Sequence, residues 1–394
     1  MENFTYWVPT KVYNGKGVVR KELGSLAAGL GKKAMIIHYG DGVIEKIGAY
    51  EDVTESLKEA GVEFVEFTGI KPNPVISKVD EGIEICRKEG VDVLIPIGGG
   101  SVSDSAKCIA GCYHYDGPAW DVVMDPSLVK DPLPIIVVPT LAATGSDMDN
   151  SGMIHNDDLH VKKMLGSPDL FPKYSIQDPT YTLNLPMKQT AMGIADIMSH
   201  ISEVYFCTTD GAIFADTIME ALMRICLECG KILEKDPTNY AARANLMWTA
   251  SWGCNGLFYA GKILKRWSVH PMEHELAAIY DDPHGQGIAI LTPVWMRYVL
   301  NDDTVEMFSK FAKNVIGIPE SDDKFAMAKA GIDELERLYQ SWGIPKNLRE
   351  SGIGITDESN FEVMAEKALG PAGAINGSVT LSKEDVIAIY RAAL

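Results

Sequence analysis

The chain has 394 residues, of which 46% are hydrophobic and 23% charged, and a formal net charge of −18 at pH 7. The length and the composition are typical of a soluble globular protein with two domains. The negative charge argues against nucleic acid or an anionic membrane as partner, because both require clustered lysine and arginine.

The N-terminal sequence and the cysteines indicate the cell compartment. The N-terminus lacks the basic stretch and apolar run of a signal peptide, and no window approaches about 18 consecutive apolar residues. Seven scattered cysteines, an odd number, are typical of reduced thiols. We therefore expect a cytoplasmic protein. Cys226 and Cys229 form a CxxC inside a helical pattern, and we interpret them as small apolar residues.

The first half of the chain alternates between strand and helix patterns. Strand patterns occupy residues 32–40, 62–70, 91–100 and 132–140, and helix patterns occupy residues 43–61, 74–90 and 101–115. The last two strand segments are continuous apolar runs, which is typical of strands buried on both faces. This alternation predicts an α/β domain with a parallel sheet and right-handed crossovers.

The pattern changes after residue 140. Residues 151–178 indicate short strands and loops that return to the sheet, and from about Pro186 onward the segments have helical periodicity. We therefore expect an α/β domain over residues 1–184 and an all-helical domain over residues 185–394.

A glycine-rich turn follows the third strand pattern in LIPIGGGSVSDSAK. Gly98, Gly99, Gly100 and Ser101 separate a buried strand from a helix. Such a turn lets the backbone approach a phosphate closely, and the helix N-terminus attracts the anion. The segment matches neither GxGxxG nor a P-loop, so a simple tight turn is the alternative interpretation.

Asp41 lies in the loop that follows the first strand pattern. In an open parallel sheet this loop commonly holds the adenine ribose of a dinucleotide. The Asp41 carboxylate can accept hydrogen bonds from the ribose hydroxyls and would repel a 2′-phosphate. Stabilisation of a turn is the alternative role.

The helical half carries the ingredients of a metal site. Asp196 and His200 are four residues apart on a helical pattern, so they share one face, and His270 and His284 follow downstream. One carboxylate and three imidazoles suit Fe²⁺ or Zn²⁺. HELAA at residues 274–278 fails the HExxH metalloprotease motif.

Several long motifs in this order resemble the iron-dependent (group III) alcohol dehydrogenases, and within them the butanol-dehydrogenase-like branch. The resemblance covers nearly the whole chain. Its motifs are FTYWVPTKVYNGKG, GGGSVSDSAK, PTLAATGSDMDN, DPTYTLNLPMKQTAMGIADIMSH, WSVHPMEHELAAIYDDPHGQGIAILTP and WGIPKNLRE. It implies a Rossmann-like sheet domain followed by an all-helical domain, as in dehydroquinate synthase, with the active site in the cleft between them.

The resemblance also implies residue roles. The metal ligands would be Asp196, His200, His270 and His284. The cofactor-binding residues would include Gly98, Gly99, Gly100, Ser101 and Asp104, with Thr140 and Thr144 near the nicotinamide half and Lys163 at its ribose. His274 would lie beside the metal, as a proton relay or as a hydrogen-bonded neighbour that fixes the site.

This sequence departs from the family pattern at two places. TGSD, with Asp147, stands where the family often has TGSE, and we expect little consequence. Where NADPH-using relatives resemble YGGGS followed by a lysine, this chain has YGDGVIE, so Asp41, Val43 and Glu45 replace a glycine, a serine and a lysine. Although the branch suggests NADPH, these residues favour NAD(H) over NADP(H).

The expected activity is hydride transfer between this cofactor and a small primary alcohol or aldehyde, with the metal as a Lewis acid. We expect Fe²⁺, with Zn²⁺ as the alternative, and the resemblance implies a homodimer. The alternatives are a polyol dehydrogenase such as a glycerol dehydrogenase, a metal-dependent lyase of the dehydroquinate-synthase type, and a non-catalytic dinucleotide- or metal-binding sensor. The lyase would require more lysine and arginine near the histidines than Lys262, Lys265 and Arg266.

Overall fold

The strands of the protein build one main sheet. The computed structural model describes residues 1–159 and 161–394, and in them the parallel main sheet has the order β1-β8-β5-β4-β2-β3. An antiparallel hairpin, β6 with β7, lies outside the main sheet. The strands are β1 Lys11–Asn14, β2 Lys33–Ile37, β3 Glu63–Phe67, β4 Val93–Gly98, β5 Ile136–Pro139, β6 Ser151–Asn156, β7 Val161–Gly166, β8 Tyr174–Gln177, β9 Ile375–Asn376 and β10 Thr380–Leu381.

Helices make up most of the second half of the chain. The α-helices are α1 Val18–Ala28, α2 Val43–Lys46, α3 Ala49–Glu59, α4 Ile76–Glu89, α5 Gly100–Cys112, α6 Ala119–Met124, α7 Met187–Tyr205, α8 Ile213–Lys235, α9 Tyr240–Gly253, α10 Val269–Tyr280, α11 His284–Val299, α12 Val305–Phe311, α13 Lys324–Ser341, α14 Phe361–Leu369 and α15 Lys383–Ala393. In the described part of the chain, no helix has both the length and the apolar content needed to cross a bilayer.

The chain divides into two compact units. The sheet unit comprises Trp7–Leu185 and Thr238–Asn255, and the helical unit comprises Met1–Tyr6, Pro186–Pro237 and Gly256–Leu394. The break between Leu185 and Pro186 lies one residue from the expected domain boundary. That boundary, as a division into independent domains, stays a prediction. Although α9 follows this boundary in sequence, it packs within the sheet unit.

Alternating side chains of the buried strands fill a core on each face of the sheet. On one face, Met35 and Ile37 of β2 pack with apolar residues of α4, α5 and α6. On the other face, Ala34 and Ile36 pack with residues of α1 and α3. Because both faces are covered, these strands read as continuous apolar runs in the sequence. The predicted parallel α/β architecture is therefore confirmed, with a strand in each of the four predicted segments.

Two parts of this unit differ from the sequence pattern. β1 and α1 lie in a stretch for which no element was predicted, and β1 is a short, partly exposed strand at the sheet edge. The helix pattern over residues 43–61 forms two helices, α2 and α3, rather than one. Gly48, with a φ of 81°, separates them, because a left-handed residue cannot continue a right-handed helix.

The helical unit is built around α7. This helix packs against α8 and α11, and α10 packs against α11 and α14. The predicted helical character holds, except that β9 and β10 form a short antiparallel pair near the C-terminus. This packing brings α7, α10 and the start of α11 together, and these three helices carry the predicted metal ligands.

Candidate active site

The glycine turn joins β4 to α5 in the sheet unit. A Cβ added to Gly100 would lie 2.6 Å from both Oγ1 and Cγ2 of Thr144, and one added to Gly98 would lie 2.7 Å from Cγ2 of Val102. The backbone N–H of Thr140 donates to the carbonyl oxygen of Gly98 at 3.0 Å. Glycine is therefore required for this close packing, and the turn presents the N-terminus of α5 to a cleft.

The cleft at this turn is formed by three segments of the sheet unit. It is lined by Gly98–Gly100 and Ser103, by residues 144–147 together with Pro139 and Leu141, and by Met247 and Ala250 of α9. The free N–H groups of the α5 N-terminus and the absence of side chains at the glycines suit a phosphate group. The contribution of α9 was not predicted, because helical periodicity does not reveal which unit a helix joins.

The other predicted cofactor residues occupy different environments. Ser101 donates its hydroxyl to the carbonyl of Pro72, and the two carboxylate oxygens of Asp104 accept from Ser146 Oγ at 2.6 Å and Met153 N at 3.0 Å. Burial raises the pKa of Asp104 to about 6. Lys163 is exposed on β7, where it pairs with Ile154 of β6. The cofactor roles of these three residues stay predictions.

Asp41 is exposed in the turn between β2 and α2. Its Oδ1 accepts a hydrogen bond from the backbone N–H of Val43 at 3.0 Å, and the flanking Gly40 and Gly42 both have a φ of 79°. Asp41 thus stabilises a turn, which was the alternative to ribose binding. The two roles are compatible, because a carboxylate has further acceptor capacity, and ribose binding stays a prediction.

The predicted metal ligands converge in the interior of the helical unit. Asp196 and His200 come from α7, His270 from the first turn of α10, and His284 from the first residue of α11. The Nε2 atoms of His284, His200 and His270 lie 3.3, 3.5 and 3.9 Å from Oδ1 of Asp196. Ligand atoms about 2.1 Å from a tetrahedral ion lie roughly 3.4 Å apart, so these separations suit one shared ion.

Unsatisfied polar atoms support the fit of a metal to these residues. Oδ1 of Asp196 and Nε2 of His270 are buried and lack a hydrogen-bond partner among the described residues. Burying a carboxylate oxygen and an imidazole nitrogen without hydrogen-bond partners costs folding free energy. A divalent cation bound by both atoms would remove this cost. In the part of the chain that the structure describes, two groups of three residues have ligand atoms within 4.8 Å of one another, and neither group includes His200. One group is Asp196, His270 and His284, and the other is Glu273, His274 and His284.

Two buried glutamates hold the imidazole rings, and sequence reasoning missed both. Glu203 Oε1 contacts Nδ1 of His270, and Glu273 Oε2 contacts Nδ1 of His284. The carboxylates accept the Nδ1 protons, so in the neutral form of each ring the lone pair lies on Nε2, the atom on the side of Asp196. The sequence contained a weak signal, because Glu203 follows His200 by three residues on the same helix and Glu273 follows His270 by three.

The electrostatics of the site are set by the buried groups themselves. Burial lowers the pKa of His200 to about 4. Burial acts in the same direction on His284, but the carboxylates of Glu273 and Asp196 outweigh it and raise the pKa of His284 to about 10. Burial opposes the charge of Asp196, yet the neighbouring histidines hold its pKa well below the ordinary value.

His274 lies beside the ligand set on α10. Its ring centroid is 5.8 Å from that of His284, with an interplanar angle of 29°, and 6.1 Å from that of His270. The side chain is half-buried, whereas His200 and His270 are buried. This placement is compatible with a role next to the metal, and the catalytic role of His274 stays a prediction.

Comparison with known protein families identifies the class of protein. Residues 9–179 match the family model described as iron-containing alcohol dehydrogenase, and residues 190–394 match the model of the C-terminal part of the Fe-containing alcohol dehydrogenase family. The chain therefore belongs to the iron-containing alcohol dehydrogenase family and is an oxidoreductase. The predicted family and fold are thus confirmed.

Individual relatives are similar over the full length. NADH-dependent butanol dehydrogenase A of Clostridium acetobutylicum is 45% identical, with 99% of each chain covered, and NADH-dependent butanol dehydrogenase B of the same organism is 42% identical with the same coverage. Among solved structures, NADH-dependent butanol dehydrogenase A of Thermotoga maritima superimposes with a TM-score of 0.91 at 36% identity, covering 100% of this chain and 99% of the other.

Proposed function

We propose that this oxidoreductase interconverts small aldehydes and primary alcohols with NADH and Fe²⁺, in the manner that the names of its butanol dehydrogenase relatives indicate. The observation that carries the proposal is the convergence of three imidazole Nε2 atoms on one buried, unpartnered carboxylate oxygen of Asp196. When bound, the ion would act as a Lewis acid toward the substrate oxygen and the nicotinamide would carry the hydride.

The side chains of this chain would have separate tasks. Asp196, His200, His270 and His284 would hold the ion, and the glutamates at the Nδ1 atoms would orient two of these rings. His274 would hold or release a proton at its imidazole, as histidines that act as general acids or bases do. The glycine turn at the N-terminus of α5 would bind the pyrophosphate.

Iron is proposed over zinc on the basis of the family. One carboxylate and three imidazoles accept either ion, so the ligand chemistry alone does not choose. The test is metal analysis of protein purified anaerobically, followed by reloading of the metal-free protein with each ion. We expect about one iron per chain, and butyraldehyde reduction that Fe²⁺ restores more fully than Zn²⁺. Equal or better restoration by Zn²⁺ would overturn the choice of iron.

NADH is proposed over NADPH on the basis of the loop after β2. Asp41 is exposed there, and Val43 and Glu45 offer no cation to a 2′-phosphate. We expect a larger kcat/KM with NADH than with NADPH, and a shift of the ratio toward NADPH in Asp41→Gly. A wild-type enzyme that prefers NADPH would refute the assignment. Asp121→Gly, at another exposed aspartate of the sheet unit, is the control and should leave the ratio unchanged.

The metal site is tested by replacing its histidines. His270→Ala and His284→Ala should each lose the metal and butyraldehyde turnover. His114→Ala, which removes an exposed imidazole, is the matched control and should retain both. A folded His270→Ala protein with wild-type metal content and turnover would remove His270 from the proposed ligand set.

A second copy of the chain is the proposed partner. Phe4, Ile213, Phe214 and Leu264 expose large apolar side chains of the helical unit. They lie on neighbouring segments, because the backbone N–H of Glu2 donates to the carbonyl of Gly261 and the N-terminal ammonium donates to the carbonyl of Asp210. Exposed apolar surface of this kind is typical of protein interfaces.

Sedimentation velocity tests the proposed homodimer. The wild type should sediment as a dimer, and the double variant Phe214→Asp/Leu264→Asp as a monomer, because charges in an apolar interface are costly. Val363→Asp, at another exposed apolar residue, should leave the dimer intact. A monomeric wild-type protein would refute this part of the proposal.

The cytoplasm is the proposed location. The seven cysteines form no disulfide, and burial raises the pKa of Cys86 to about 12 and that of Cys229 to about 11, which keeps these thiols protonated and unreactive. Cell fractionation tests the proposal, and recovery of the protein outside the cytoplasmic fraction would contradict it.

A further inference from the structure

The ammonium of Lys107 is a buried charge that the proposed chemistry does not use. This lysine of α5 has no exposed surface. Its Nζ donates to Asp149 Oδ1, to Ser146 Oγ at 2.8 Å and to the carbonyl of Ser151 at 2.8 Å. Three acceptors match the three protons of an ammonium, so the charge is fully satisfied. All three acceptors lie within residues 146–151.

The segment that Lys107 contacts has no regular secondary structure. Residues 140–150 form neither helix nor strand, yet Ser146, Asp147 and Asp149 in this segment are buried. Such a segment lacks the continuous hydrogen-bond ladder that fixes a helix or a strand, so its side-chain hydrogen bonds contribute much of what fixes its conformation. The ammonium of Lys107 helps to fix this conformation through its hydrogen bonds to the segment.

A second set of buried bonds holds the same segment from another direction. Oδ2 of Asp147 accepts from Ser175 Oγ at 2.6 Å, Gln177 Nε2 at 2.8 Å and Ser251 Oγ at 2.8 Å. These donors come from β8 and α9. Asp147 therefore links the segment to the sheet and to α9, whereas Lys107 links it to α5, the helix that begins at the glycine turn.

Ser146 connects the lysine to the cofactor cleft. Its hydroxyl accepts from Lys107 and donates to Asp104 Oδ1 at 2.6 Å, and Ser146 also lines the cleft with the three glycines. The preceding Thr144 packs against Gly100 so closely that a Cβ there would meet its side chain at 2.6 Å. A small displacement of the segment would thus alter the space beside the glycine turn.

We propose that Lys107 is a positioning residue for the dinucleotide: its ammonium holds residues 144–149 against the glycine turn and so fixes the shape of the cleft that receives the pyrophosphate. This inference rests on the proposed function, because it takes the cleft to be the cofactor site. The lysine itself touches no cofactor atom in this proposal. The ammonium suits this role because its three protons, all on one nitrogen, donate to the three acceptors at once.

The alternative is a purely structural ion pair, in which Lys107 only neutralises Asp149. The two roles predict different behaviour when both charges are removed together. If the pair is only structural, Lys107→Met/Asp149→Leu restores both stability and cofactor binding, because neither member of the ion pair is left buried without the other. If Lys107 is a positioning residue, the double variant folds but still binds the cofactor weakly.

The experiment measures NADH binding by fluorescence titration of the metal-loaded protein, beside melting temperature and steady-state kinetics. In Lys107→Met and in the double variant we expect a Kd for NADH weakened by roughly tenfold or more, because a displaced binding segment loses aligned contacts. The KM for NADH should rise similarly while kcat at saturating NADH changes little. The Kd for the metal should be unchanged. Lys58→Met, which removes an exposed lysine of the same unit, is the control.

Three outcomes separate the inference from the proposed function. NADH affinity within about twofold of wild type in folded Lys107→Met, well short of the roughly tenfold loss expected, would overturn the positioning role. Restored affinity in the double variant would also overturn it, in favour of the structural pair. A wild-type protein that fails to bind NADH would instead overturn the proposed function. If Lys107→Met does not fold, the double variant alone decides the question.

Discussion

Glu203 occupies a junction between the helix that carries Asp196 and His200 and the helix that carries His270. Its carboxylate accepts from the ring of His270, from Ser199 Oγ at 3.0 Å and from the backbone N–H of Val269 at 2.8 Å. One side chain therefore fixes a ring and also satisfies a free N–H group at the start of α10. Ring orientation of this kind tunes the affinity of a metal site.

Replacing either glutamate by its amide should weaken metal binding without removing a ligand. In Glu203→Gln, an amide nitrogen must face a donor, either Val269 N–H or the ring N–H of His270. We expect Glu203→Gln and Glu273→Gln to raise the metal Kd by about 10- to 100-fold. Chelator competition with Zn²⁺ or Co²⁺ measures the Kd, and the Co²⁺ absorption spectrum reports the ligand geometry.

The control for this comparison is Glu228→Gln, at an exposed glutamate of α8. Its metal Kd should equal that of the wild type. A wild-type Kd and Co²⁺ spectrum in both Glu203→Gln and Glu273→Gln would show that the glutamates do not orient the ligands. A lowered melting temperature alone would not account for a change in the Co²⁺ spectrum.

The charge state of His284 predicts proton release on metal binding. Its pKa is raised to about 10, so this ring is protonated at pH 7 in the metal-free protein, whereas His200, with a pKa lowered to about 4, is already neutral. A ligating imidazole must lose the proton from its ligating nitrogen. Metal binding should therefore release about one proton from His284 and should tighten as pH rises from 6 to 8.

Calorimetry in buffers of different ionisation enthalpy measures this release. An observed binding enthalpy that varies linearly with the buffer enthalpy, with a slope that indicates net proton release, is the expected result. A slope of zero, together with a metal Kd that does not change with pH, would contradict the predicted charge state of His284.

The proposed metal ligands are easier to recognise in the sequence than the glutamates that contact them. Asp196 and His200 are recognisable from their spacing on a helix, and the family motif adds His270 and His284. Glu203 and Glu273 carry no distinctive local pattern, because a glutamate three residues from a histidine is common on exposed helix faces. Only the packing of α7, α10 and α11 shows that these two carboxylates are buried.

Among the elements of the fold, α9 has an unexpected position that shapes the cleft at the glycine turn. This helix follows two long helices of the helical unit in sequence, but it packs within the sheet unit and lines the cleft with Met247 and Ala250. A Cβ added to Gly145 would lie 2.3 Å from the carbonyl oxygen of Ala250. The absence of a side chain at residue 145 is therefore what allows the close approach of α9.

Gly145→Ala should disrupt this contact and destabilise the sheet unit. Gly145 has a φ of 70°, which costs an alanine about 1–2 kcal/mol, and the clash with a backbone atom adds to that cost. We expect a loss of about 2–4 kcal/mol in the free energy of unfolding and a weaker Kd for NADH. Urea denaturation and fluorescence titration measure the two effects.

Gly61→Ala separates the two causes. Gly61 also has a positive φ, of 70°, but no atom lies within 4 Å of an added Cβ. The Gly61→Ala variant should lose only about 1–2 kcal/mol in the free energy of unfolding and should retain wild-type affinity for NADH. An equal loss of stability in the two variants, with unchanged NADH affinity in Gly145→Ala, would refute the role given to the contact with α9.

The elements themselves were partly predictable from apolar patterns. The buried strands β2, β4 and β5 could be predicted because both of their faces are covered, which makes each of them a continuous apolar run. β1 could not be predicted in this way, since it is four residues long and partly exposed at the sheet edge. α9 was predicted as a helix, but its partner was not, because packing between distant segments depends on small residues such as Gly145 and Ala250.

At the scale of the whole molecule, the sheet order could not be obtained from the sequence. The pattern of alternating strands and helices predicts a parallel sheet, but β1 pairs with β8, whose residues are more than 150 positions away. Pairing between strands so far apart in sequence depends on tertiary packing. The local pattern of apolar residues does not report it. The family resemblance supplied the global architecture that periodicity alone left open.

We propose that a single divalent metal, held by Asp196, His200, His270 and His284, is required for NADH-linked reduction of a small aldehyde. The most direct measurement titrates Fe²⁺ anaerobically into the metal-free protein and follows the oxidation of NADH by butyraldehyde. We expect no turnover without metal, and a rate that rises linearly until about one equivalent of Fe²⁺ per chain has been added. Full turnover in the metal-free protein would contradict it.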